Sequence, residues 1–148
     1  MTQAVDSISP TAMEAIGDAL NQSVAETAVT TMLAQNFHWN VTGPQFGQLY
    51  ELFEDIYKDH FKAQDELAER IKALGDPAEG TLAGMVKRSK MAEHDGHGSP
   101  EGMIRMMMGA QRTLAATLAG TAAVAEEHGD LLTQDLAIER AQTHEKFG

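Results

Sequence analysis

The sequence predicts an all-α fold: a bundle of four long helices with one long crossover, carrying a short helix, between the second and the third. Three observations predict it. Apolar residues recur at helical spacing through four long segments, punctuated by capping residues, glycines and prolines. β-branched and aromatic residues never alternate over a run long enough for a strand. The chain has 148 residues, 43% of them apolar, enough for one buried core, and neither a linker nor an internal repeat divides it. It reads as a single domain, 1–148, with a short flexible tail over 1–10.

The first helix is expected after Pro10, where Thr11–Ala12–Met13–Glu14 reads as a capping box. Its core stripe is Met13, Ile16, Leu20, Val24, Thr27, Thr31, Ala34 and His38, and the run stops at Asn40–Val41–Thr42–Gly43–Pro44. The second should run from about Phe46 to Leu74, with Gly75 just past its end and Pro77 beyond. Leu49, Phe53, Ile56, Leu67, Ile71 and Leu74 make its stripe. Residues 76–98 are too long for a tight turn, with a short helix at Thr81–Lys90 and open loop at Met91–Gly98. Ser99–Pro100 starts the third helix, serine as cap and proline at the first helical position. That helix runs to about His128–Gly129, and the fourth from near Asp130 to Phe147.

Charge and composition exclude several classes of function. Acidic residues number 22 against 11 basic, a net charge of −11, which speaks against bulk phosphate neutralisation and favours attraction of cations. With no cysteine, disulfides, thiolate metal sites and cysteine nucleophiles are ruled out. The start MTQAVDSISP lacks the basic and apolar regions of a signal peptide. Leu114–Ala125, the longest weakly polar stretch, is too short to span a bilayer. The expectation is a soluble, cytoplasmic protein.

The second helix carries the most informative pattern. Tyr50, Glu54, Tyr57, Phe61, Asp65 and Glu69 fall within an arc of roughly 120°. Acidic groups interleaved with aromatic rings point to an interface or a metal site, because aromatics favour burial. Glu54 and Asp65 lie about 16 Å apart along a helix, too far to grip one ion from the same chain, whereas Asp65 and Glu69 are one turn apart. A two-fold partner helix running antiparallel would bring Glu54 across, so the spacing suggests a site between subunits. No histidine has Glu three residues before it, which argues against the Glu-x-x-His di-iron centre of a single bundle.

The run NFHWNVTGPQF, followed by LYELFEDIY and DELAERIKALG, resembles the signature of the Dps family, the mini-ferritins of starved bacteria. The likeness covers about Met13 to Phe147. It implies a ferritin-like four-helix subunit assembled as a dodecameric cage, a homo-oligomer that oxidises Fe(II) with hydrogen peroxide or dioxygen and stores the ferric mineral. It further implies a site shared across a two-fold interface: His38 and Glu54 from one subunit, Asp65 and Glu69 from the other, with Trp39 packed beside it. Iron is the implied metal, with zinc as a substitute ion. Where the family commonly has a second histidine this chain has Tyr50, a hard ligand at best, so slower oxidation or a weakly held second ion is expected. His60 lies about 80° off the stripe and does not replace it. The resemblance also places an acidic three-fold pore near the start of the fourth helix, making Asp130 and Asp135, near Glu126, its candidate residues.

Other groups read as weaker candidates. His94, Asp95 and His97 share a loop and are candidate zinc or copper ligands, although loop histidines beside glycine are usually just solvated. Met103, Met106 and Met107 are explained by core packing, which leaves Met108 outside the pattern. The alternative functions are a nucleoid-associated, DNA-protecting protein with little ferroxidase activity, Tyr50 being the cause, and a helical scaffold whose iron site has decayed. DNA binding is not expected to be strong: residues 1–12 hold no Lys or Arg, and Lys87, Arg88 and Lys90 form the sole basic cluster.

Overall fold

The structure, a computed structural model, describes residues 8–148. Five helices follow in order: α1 (Pro10–Asn40), α2 (Phe46–Ala73), the short α3 (Leu82–Arg88), α4 (Pro100–Glu127) and α5 (Leu131–Phe147). Helix α1 packs along α2 and against α4, and α4 pairs with α5. The predicted bundle and the short helix in its crossover are both present. Among the described residues no helix is long and apolar enough to cross a membrane.

The helix ends follow local chemistry, with one correction. Ser9, not Thr11, caps α1: its hydroxyl accepts from Ala12 N at 3.1 Å, and Pro10 takes the first helical position. Proline fits there because the amide it lacks would have no partner anyway. Ile8 is buried, so the expected tail does not extend through 8–10; residues 1–7 lie outside the described residues. Gly75 (φ 89) and Gly129 (φ 74) turn the chain left-handed after α2 and α4. In each case the next amide reaches back five residues to a helix carbonyl, Asp76 N to Ile71 O and Asp130 N to Ala125 O, the Schellman closure that glycine permits.

Two apolar clusters make the core. One gathers Ile16, Leu20, Val24, Leu67, Ile71, Leu74 and Leu118; the other Leu33, Phe37, Leu49, Phe53, Ile56, Met103 and Met107. The stripes predicted for the first two helices are buried, save Met13, which is partly exposed. Met106 is exposed, a correction to its expected core role, since it points off the face that buries Met103 and Met107.

Between the clusters lies a polar belt. Arg140 donates to Asp59 at 2.7 and 3.2 Å and to His144 Nε2 at 3.2 Å. Arginine can only donate, so His144 carries its proton on Nδ1 and gives it to Gln111 Oε1, 2.7 Å away. The Gln111 amide in turn donates to His60 Nε2 at 2.9 Å. His60 Nδ1 then donates to Asp59 Oδ2, also at 2.9 Å. The ring closes with every partner in its required role and both imidazoles neutral. Glu26, fully buried on α1, accepts from Thr117, Gln22 and the amide of Lys90, fastening the crossover to the bundle.

Burial, then electrostatic coupling to the neighbouring His60 imidazole and the charge of Arg140, push the His144 imidazole down to about 3. The unfolded chain, with an ordinary histidine near pH 6.5, therefore takes up protons first as pH falls. The stabilisation from neutral His144 is full above pH ~6.5 and is lost progressively toward pH 3. Burial alone would raise the Asp59 carboxyl, but hydrogen bonds from His60 and Arg140 outweigh it and hold it well below the usual range. Its contribution also disappears in acid. The urea midpoint at fixed protein concentration is expected to fall steadily from pH 7 to pH 5. Gln111→Leu, which leaves two buried imidazole nitrogens unpaired, should cost about 2–4 kcal/mol at pH 7.

Candidate functional site

The last turn of α1 and the first half of α2 meet across the short turn at 41–45, and His38 sits where they meet. It is 5% exposed, with Nδ1 2.7 Å from the Tyr50 carbonyl oxygen. A carbonyl only accepts, so Nδ1 carries the proton and Nε2 keeps its lone pair. Tyr50 lies over the imidazole with ring centroids 3.8 Å apart, and Tyr57 meets it edge-on at 5.3 Å. Both the orientation and the tautomer of His38 are thus set before any ion arrives.

Glu54 follows Tyr50 by one turn. Lys58 Nζ is 2.5 Å from its Oε2, and that hydrogen bond, reinforced by the charge of Lys58, holds its carboxyl below the ordinary range. Further along α2, Glu69 is raised above the ordinary range, chiefly because its carboxyl shares a hydrogen bond with Asp65 and repels its charge. The chain brings His38, Tyr50 and Glu54 together at one end, and Asp65 and Glu69 at the other. It does not bring the two halves together: among the described residues no three His, Asp or Glu side chains are placed to hold one ion.

Large aromatic side chains are exposed around these residues. Trp39 is 62% and Phe61 70% exposed, and Phe46 and Tyr50 are exposed with them. Large aromatic rings left in water mark a face that pairs with something. His60, by contrast, is fully buried in the polar ring, so it is unavailable to the site.

Other candidates are placed differently from expectation. Asp130 is fully buried and is no pore residue: it accepts from Thr133 N at 3.1 Å as cap of α5 and pairs with Arg70 at 2.8 Å. Asp135 and Glu126 are exposed. His94 Nδ1 accepts from Gly96 N, and Asp95 accepts from His97 N, so these loop groups cap their own turn. Arg88 of the basic cluster pairs with Asp18 at 3.0 Å and Glu79 at 2.8 Å, leaving Lys87 and Lys90 exposed.

A family model described as a ferritin-like domain matches residues 17–147. The chain is 33% identical over 121 residues to DNA protection during starvation protein 2 of Bacillus anthracis, covering 82% of this chain and 83% of that one. The chain belongs to the Dps family. Among solved Dps structures, that from Bacillus brevis superposes with a TM-score of 0.90 at 30% identity, covering 95% of this chain and 94% of its own. The Dps of Vibrio cholerae O1, described as a member of a broad superfamily of ferritin-like diiron-carboxylate proteins, gives 0.90 at 28% identity over 94% and 87%. The Dps likeness read from residues 36–75 thus extends through the fold.

Sequence reasoning missed the polar ring and Lys58. Gln111 stands at core spacing between Met107 and Leu114, a polar residue on an apolar stripe. Lys58 follows Glu54 at the spacing of a helical ion pair. Both signals were present in this Dps chain. Asp65→Asn should bring the Glu69 carboxyl back down toward its ordinary value, observed by carbon NMR of the side-chain carboxyl through a pH titration.

Proposed function

We propose that this chain forms a dodecameric cage that oxidises Fe(II), with hydrogen peroxide or dioxygen as oxidant, and stores the ferric product inside. The observation that carries this reading is His38. Its Nδ1 proton is committed to the Tyr50 carbonyl, so Nε2 offers its lone pair beside Glu54 on an unpaired aromatic face. An imidazole held this way is a ready ligand, and imidazole with carboxylates suits ferrous iron.

In the proposed site, His38 and Glu54 of one subunit meet Asp65 and Glu69 of the partner subunit across a two-fold axis. Covering Trp39 and Phe61 in that interface removes the apolar surface from water. Two ferrous ions give up one electron each; peroxide takes both, its O–O bond breaks, and it leaves as two hydroxides. The carboxylates offset the growing positive charge, and the closed interface keeps reactive oxygen species from escaping. Tyr50 offers its ring to His38 rather than a second imidazole, so the second ion is weakly held and turnover is slowed. Zinc, which accepts the same donors, would compete for the site. Asp135 remains the candidate pore residue. The setting proposed is the bacterial cytoplasm.

Relatives are named for DNA protection, but binding through phosphate contacts gains no support from a chain of net charge −11 whose cluster arginine is already paired. A gel shift at physiological salt is expected to show free DNA, and any low-salt complex should vanish steeply as salt rises. The double substitution Asp65→Ala/Glu69→Ala should abolish rapid peroxide-dependent iron oxidation while sedimentation still shows the full assembly. Oxidation at the wild-type rate would refute the site.

A further inference from the structure

Glu54 does not wait unpaired for its ion. Lys58, one helical turn on, sets its ammonium 2.5 Å from Oε2. The order Glu then Lys at this spacing is the favourable one along a helix. The lysine side chain is 64% exposed and that of the glutamate 31%. Lys58 can therefore swing into water without uncovering any core, while Glu54 keeps its place near His38.

We propose that Lys58 is a built-in competitor for the metal ion at Glu54: it occupies the carboxylate until a divalent cation displaces it, and so lowers the affinity of the site. The inference rests on the iron-binding reading above. An incoming ion must break the pair, and the displaced ammonium, tethered to the same helix, continues to repel it. A monovalent cation offers the carboxylate only what the ammonium already gives. A divalent ion doubles the attraction and wins. The consequence is a site that loads with Fe(II) yet holds it loosely enough to pass it on. Were Lys58 there only to stabilise α2, its pair would add a few tenths of a kcal/mol to the helix and leave metal affinity unchanged.

Anaerobic calorimetric titration of the assembled protein with Fe(II) alone tests this. Lys58→Gln is expected to tighten binding by about three- to ten-fold. Lys146→Gln, the same charge change at an exposed lysine near the end of α5, should shift it less than about two-fold. Lys58→Arg, which preserves the pair, should stay near wild type. In a Glu54→Gln background, Lys58→Gln should lose most of its effect. Equal shifts for the Lys58 and Lys146 substitutions, or an undiminished Lys58 effect without Glu54, would overturn the proposal. If Glu54→Gln alone leaves Fe(II) binding unchanged, it is the placement of the site that fails.

Discussion

Asp59, His60, Gln111, Arg140 and His144 come from three helices and close one ring of hydrogen bonds at the middle of the bundle. Helix α5 pairs extensively with α4 but meets α2 only sparsely, and the ring is much of what ties those two together. Arg70, bonded to Asp130 and Thr133, supplies a second tie nearer the α4–α5 turn. Because arginine can only donate and a carboxylate only accept, the ring has one proton arrangement. A slipped α5 would break several buried bonds at once. The apolar clusters on either side supply the bulk of the burial energy, and the ring selects one register among the packings they would allow.

Helix α2 serves two surfaces within a few residues. Asp59 and His60 belong to the interior ring, while Lys58 and Phe61, on either side of them, face outward. The proposed ion-binding residues therefore project from a helix whose rotation is locked from behind. His38 is oriented by backbone and aromatic contacts of the same helix, so its position follows α2 wherever α2 is held.

Much of this was legible in the sequence. The stripes of the first two helices, Gly75 and Gly129 as stops and Ser99–Pro100 as a start all follow from local chemistry that acts within a turn or two. The start of α1 was misread because Thr11–Glu14 and Ser9–Pro10 are both good caps, and only geometry chooses between them. Asp130 was misread for a related reason: an acidic residue ahead of a helix looks the same whether it faces a pore or caps the helix. Arg70, sixty residues earlier, decides the matter, and no local pattern reports it. The ring was missed because Arg140 and His144, near the end of a helix, suggest solvent, and because Gln111 and His60, inside theirs, reveal no partner until the distant helices are placed.

Asp130 also sets a limit on the hairpin of α4 and α5. Its amide completes the closure of α4 by bonding to Ala125 O, and its side chain opens α5 by accepting from Thr133 N. One residue thus ends one helix and begins the next, leaving no slack between them. The direction of α5 is inherited from the last turn of α4, as in a mitred joint. Length variation at this corner would misdirect the whole helix, whereas the long crossover, held at separate points by Glu26, Arg88 and Asn36, has room to absorb it.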